Sequence, residues 1–170
     1  MTEATHGNLL VVNGVGVLLT GEAGSGKSEI SLELIMRGHQ LVADDVVLIE
    51  RSGNVLTGRA PDRFAGLIAV RDVGIIDIRR LFSDRSLEAA GAIEVSVELT
   101  KVAPSGSRIH TGGTEIEICG VKLPHFVLTV RPGRNLAMLV ELVSSIVSSP
   151  EDTEREAIAG HDAAVNGTIN

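Results

Sequence analysis

The chain is 170 residues long, a length that suits one domain and leaves little room for a second. Hydrophobic residues make up 44% of it but aromatics only 2%, so a packed core must be built from Val, Ile, Leu and Ala. The net charge of −7 excludes a general nucleic-acid or membrane binder, since both need a positive field.

The opening residues, Met1 to Asn8, are polar and lack the basic-then-apolar order of a signal peptide. No run of about 18 apolar residues is present to span a bilayer. The single Cys119 excludes an internal disulfide and a cysteine-based metal cluster. These features predict a cytoplasmic protein.

In chain order, Leu9–Val12 and Val15–Thr20 are apolar runs separated by Asn13-Gly14, a dipeptide that favours a hairpin. A glycine-rich loop follows. From Glu29 to Arg37 the pattern becomes helical, and Gly38 supplies a stop. Leu41–Ala43 reads as a buried strand that ends at Asp44-Asp45. Val46–Glu50 and Asn54–Thr57 flank a turn predicted at Ser52-Gly53. Leu67–Val70 and Gly74–Ile78 are apolar segments broken by Arg71-Asp72. Ala92–Leu99, Thr114–Ile118 and Phe126–Val130 read as strands, with turns at Gly112-Gly113 and Gly120. Leu136–Val147 has helical spacing behind an Asn135 cap. The predicted organisation is a catalytic domain over residues 1–149 and a polar tail over 150–170, in an α/β class rich in strands with few helices.

The loop carries the chemistry. Gly21-Glu22-Ala23-Gly24-Ser25-Gly26-Lys27-Ser28 matches the phosphate-loop pattern in full, between a predicted strand and a predicted helix. Its glycines let consecutive N–H groups converge on phosphate oxygens, and the following helix adds its positive dipole end. Lys27 would neutralise the β- and γ-phosphates, and the Ser28 hydroxyl would enter a Mg²⁺ shell. ATP or a related nucleotide is the predicted ligand. Asp44-Asp45, at a strand's carboxyl end, falls where α/β proteins bind ligands. One carboxylate would hold the metal and the other accept the proton of an attacking hydroxyl.

Together with these segments, Arg37-Gly38-His39, Val70–Ile78 and Thr129–Ala137 make the chain resemble the catalytic domain of HPr kinase/phosphorylase. The resemblance implies a P-loop fold similar to the nucleotide-binding core of phosphoenolpyruvate carboxykinase. It implies a kinase that phosphorylates a serine of the phosphocarrier HPr with ATP or pyrophosphate, and that reverses the step by phosphorolysis. A homo-hexamer is implied as well. The family's N-terminal domain has no counterpart, as in a short natural form or an excised domain.

Position by position, the resemblance carries His6 to a histidine near the phosphates, and Lys27 and Ser28 to phosphate and metal ligands. It carries Asp45 to the proton acceptor, with Asp44 beside it and Ser28 and Asp45 at the metal. Arg108 aligns with an active-site arginine, and Arg131 and Arg134 with a segment tied to dephosphorylation. Arg71, Arg108, Arg131 and Arg134 would supply cations beyond Lys27. Two positions depart: the family's metal-binding Glu is Ala69 here, and the glycine after the arginine is Asp72. Alanine offers no oxygen to Mg²⁺. On an extended segment Asp72 would point away from the face of Ala69. Two alternatives therefore stand beside the kinase of HPr: a kinase for another hydroxyl acceptor, and an ATP-binding regulator without transfer.

Overall fold

The computed structural model describes residues 2–102 and 114–149. Arg108, the Gly112-Gly113 turn and the tail at 150–170 lie outside them. The first element is one that sequence reading did not predict: β1 (Thr2–His6) is largely exposed yet pairs with a later strand. β2 (Asn8–Val12) and β3 (Val15–Gly21) form the expected hairpin, with Val12 facing Val15 across Asn13-Gly14. Both turn residues have positive φ, 52° and 81°, which suits the right-handed twist of the strands.

After the loop, α1 (Lys27–Met36) ends where expected. Gly38 N–H donates to Ile35 O and His39 N–H to Leu34 O, the paired bonds of a Schellman stop. β4 (Gln40–Ala43) leads through Asp44-Asp45 into β5 (Val46–Ser52) and β6 (Val55–Arg59). Ser52 pairs with Val55, so the turn is Gly53-Asn54, one residue later than predicted. β7 (Leu67–Val70) and β8 (Gly74–Asp77) form a separate hairpin, and α2 (Ile78–Leu81) follows at once.

β9 (Gly91–Ala92) and β10 (Val95–Thr100) replace the single predicted strand there. β11 (Thr114–Ile118) pairs with β12 (Val121–Thr129), which starts well before the predicted Phe126. Pro124 is tolerated because the pairing of β12 with β10 begins only at His125. α3 (Leu136–Ser148) starts where predicted, with the Asn135 side chain accepting from Met138 N–H at 2.9 Å.

The main sheet has the order β11-β12-β10-β3-β2-β4. Both its faces are covered. Leu10, Val17, Leu19, Val97 and Leu99 pack against Leu34 and Ile35 of α1 and Val140 and Val143 of α3. Leu9, Leu18 and Val42 pack against Val47, Ile49 and Leu56 of the smaller sheet β1-β5-β6-β9. Double-sided burial explains why β2 and β3 read as continuous apolar runs instead of alternating ones. Each buried Leu or Val contributes roughly 1.5–3 kcal/mol, which fixes the register.

β3, β10 and β12 run parallel, and β4 joins their direction because β2 is antiparallel to both β3 and β4. The carboxyl ends of these strands therefore share one edge, where the site lies. A polar brace holds the helices at the other end of α1. Glu141 of α3 meets His39 Nε2 at 2.8 Å and Arg37 Nη1 at 3.0 Å.

Candidate nucleotide and phosphotransfer site

The residues from Gly21 to Ser28 run from the end of β3 through a loop into the first turn of α1, in the strand–loop–helix order their spacing predicted. Gly21, Gly24 and Gly26 have φ values of 131°, 75° and 93°, a region that side chains strain to enter. A Cβ on Gly21 would lie 2.4 Å from the Leu99 carbonyl oxygen, so the loop also needs glycine to sit close to β10. Gly26 caps α1 with no side-chain hydrogen bond, in contrast to Asn135 on α3. The first-turn N–H groups of α1 are thus left for an anion. Ser25 is buried and its hydroxyl has no hydrogen-bond partner in the loop. Lys27 Nζ donates to the carbonyls of Gly21 at 2.9 Å and Glu22 at 3.1 Å. This curls the lysine into the loop, with its charge where phosphate oxygens would lie.

Across the cleft stands the corner after β4. Asp44 and Asp45 are adjacent in sequence but in opposite environments. Asp44 is buried, and its carboxylate accepts from Ser28 Oγ at 2.8 Å, Asn8 Nδ2 at 2.7 Å and Ala69 N–H at 2.9 Å. Burial pushes its carboxyl above the usual range, and the charge of Asp45 adds to that. The donated hydrogen bonds from Ala69, Ser28 and Asn8 pull the other way. Asp45 is exposed, has a φ of 65°, and lines the cleft with Lys27, Ser28, Glu29, Ala69 and Arg71. Its carboxylate accepts no hydrogen bond from the described residues, so it is the member of the pair open to an incoming proton.

The other expected residues divide. Arg71 lies over the loop, since a Cβ on Gly24 would come within 3.1 Å of Arg71 Nη2. His6 ends β1 opposite Val46, next to the corner, but does not line the cleft. Arg131 and Arg134 follow β12 at the same sheet edge, and Arg134 Nη1 donates to Thr129 O at 3.1 Å. Asp72 sits in the β7–β8 turn with a φ of 64°, not on an extended segment, and does not line the cleft. Sequence reading missed Asn8 and Ser31, buried polar residues bonded to each other at 2.9 Å. An asparagine opening an apolar run was the only signal available.

These residues fit a nucleotide bound with Mg²⁺. Among the described residues, no three His, Cys, Asp or Glu side chains converge on one point. The donors at hand are the Ser28 hydroxyl and two aspartates. Mg²⁺ commonly takes one or two carboxylates and completes its shell with phosphates and water, so this set suits a metal that arrives with phosphate. Ala69 supplies only its backbone N–H, which is spent on Asp44.

Comparison with known proteins identifies the family. A family model described as the HPr serine kinase C-terminal domain matches residues 1–156. The HPr kinase/phosphorylase of Caldicellulosiruptor bescii is 44% identical over 142 residues, 82% of this chain and 46% of that protein. That of Malacoplasma penetrans is 38% identical over 144 residues, 83% of this chain and 48% of its own length. The chain thus spans about half the length of the curated relatives it matches. The solved HPr(Ser) kinase/phosphatase from Coxiella burnetii superposes with a TM-score of 0.78 at 33% identity, covering 99% of each chain. The family match over residues 1–156 and the shared fold show that this chain belongs to the HPr serine kinase C-terminal domain family.

Proposed function

We propose that the chain transfers a phosphoryl group from ATP or pyrophosphate to a serine hydroxyl of HPr or an HPr-like phosphocarrier, and that it also runs the reverse phosphorolysis. The observation that carries this reading is the open Asp45 carboxylate across one cleft from an uncapped phosphate loop. Phosphoryl transfer needs little more than positioning, charge neutralisation and one base. The β- and γ-phosphates would take the N–H groups of Gly21–Ser28, with Lys27 and Arg71 as cations. Mg²⁺, with Ser28 and Asp45 as its protein ligands, would neutralise phosphate charge, while Asp44 orients the Ser28 hydroxyl.

The serine oxygen bonds to the transferred phosphorus as the bond from phosphorus to the donor's bridging oxygen breaks, and the hydroxyl proton passes to Asp45. In reverse, inorganic phosphate attacks phosphoserine, Asp45 returns the proton to the serine oxygen, and pyrophosphate is released. His6, Arg108, Arg131 and Arg134 are proposed to contact the phosphates or the acceptor around this core. A cytoplasmic hexamer with no nucleic-acid or membrane ligand, and with 150–170 as a polar tail, completes the proposal. No helix among the described residues is long and apolar enough to cross a membrane.

Incubation with labelled ATP, Mg²⁺ and purified HPr tests the reading, and phosphoserine on HPr is expected. Label on a different acceptor would indicate another kinase. Nucleotide binding without transfer would indicate a regulator, the reading that Ala69 favours.

A further inference from the structure

Asn8 opens a strand of otherwise apolar residues and is fully buried. For packing alone a leucine or valine would serve, as it does at the next four positions of β2. A buried amide is costly unless its hydrogen bonds are made. Here each is made to a group of the site. Nδ2 donates to Asp44 Oδ1 at 2.7 Å and to Ser31 Oγ at 2.9 Å, and Oδ1 accepts from Asp45 N–H at 3.0 Å. Ser31 Oγ in turn donates to the Lys27 carbonyl at 2.8 Å, inside the first turn of α1. The amide has one workable orientation, because a flip would set its oxygen against the Asp44 carboxylate and its NH₂ against the Asp45 N–H.

One planar group therefore joins the side chain of Asp44, the backbone of Asp45 and the start of α1. Its neighbour completes the grip, since Gly7 N–H donates to Asp45 O at 3.0 Å. Asp45 is thus held at both ends of its backbone in a left-handed conformation that a non-glycine residue enters at some cost.

We infer that Asn8 is a positioning residue for phosphoryl transfer, fixing Asp44 and Asp45 as one unit against the phosphate loop. The inference rests on the phosphotransfer reading above. Asn8 supplies no proton and accepts none; it sets where the Asp45 carboxylate stands when the acceptor hydroxyl arrives. A displacement of about an ångström at such a group is enough to cost transfer on the order of a hundredfold.

Asn8→Leu, close in shape and apolar, tests it with two readouts. In transfer to HPr, kcat should fall at least about tenfold while the ATP Kd stays within about threefold. By amide hydrogen exchange, the Asp45 N–H should exchange at least about tenfold faster, with the sheet amides of Leu10 and Leu19 unchanged. A kcat and an Asp45 exchange rate both near wild type would overturn the inference, as would equal loosening of the whole sheet. Absence of transfer in the wild type would instead sink the phosphotransfer reading, and Asp45 exchange would then decide alone whether Asn8 holds the corner. If Asn8→Leu does not fold, Asn8→Ser, polar but too short to bridge these partners, is judged by the same two criteria.

Discussion

The phosphate loop and the aspartate corner face each other across one cleft but are held by opposite means. The loop is local: Gly21–Ser28 makes its shape from its own glycines, its own lysine curled onto Gly21 and Glu22, and the helix that follows it. The corner is assembled from afar. Asn8, Ser28 and Ala69 come from β2, α1 and β7 to satisfy Asp44, and Gly7 and Asn8 grip the backbone of Asp45. A phosphate cradle of the kind proposed can be written in eight consecutive residues, whereas placing the proposed base to within hydrogen-bond precision takes a folded domain. Changes in the loop should therefore weaken nucleotide binding, and changes at the corner should cost transfer far more than binding.

Lys27→Ala should give the largest effect on the binding side, a loss of about a hundredfold or more in nucleotide affinity. Unchanged affinity by calorimetry would break the loop assignment. Gly24→Ala should be milder. It places a side chain at a φ of 75° and pushes a Cβ to 3.1 Å from Arg71 Nη2, so affinity should fall by about tenfold.

Ala69→Glu works in the other direction. The residue is exposed in the cleft and has room for a longer side chain. A carboxylate there should raise Mg²⁺-dependent nucleotide affinity by about threefold, read as the difference between titrations with and without Mg²⁺. No gain would show that another group already serves the metal.

The smallest effect is expected remote from both regions, at the brace between α1 and α3. The hydrogen bond to His39 holds the Glu141 carboxyl below its ordinary range, and the charge of Arg37 adds to this. A carboxyl lowered in the folded state stabilises above its unfolded pKa, about 4.3 for Glu, and the contribution fades as pH falls through the folded value. Glu141→Gln should lower the melting temperature by about 1–3 °C at pH 7, with the gap closing below about pH 4. Nucleotide affinity should not move, and a change there would show that the brace reaches the loop.

The same contrast explains what could be read before the fold was known. The loop, the Asn13-Gly14 hairpin, the Gly38 stop and the Asn135 cap all depend on neighbours a few residues away, and each stands where its residues predicted. β1 was not legible, because Thr2–His6 is exposed and polar and owes its strand form to backbone pairing with β5. Ala69 was read for the oxygen it lacks, while its contribution, a backbone N–H to Asp44, has no side-chain signature. Asn8 read only as the last of the polar opening residues, ahead of an apolar run. Its partners are 23, 36 and 37 positions away, beyond the reach of any local pattern.

The proposed division between a binding loop and a transferring corner is tested most directly by a single-turnover experiment on Asp45→Asn. Enzyme in excess is mixed with labelled ATP, Mg²⁺ and HPr, and bound nucleotide and phosphoserine are followed in the same sample. The variant is expected to bind ATP within about tenfold of wild type, its amide oxygen still available to Mg²⁺, and to form phosphoserine at least about a hundredfold more slowly. Transfer at the wild-type rate, or a loss of binding equal to the loss of transfer, would contradict it.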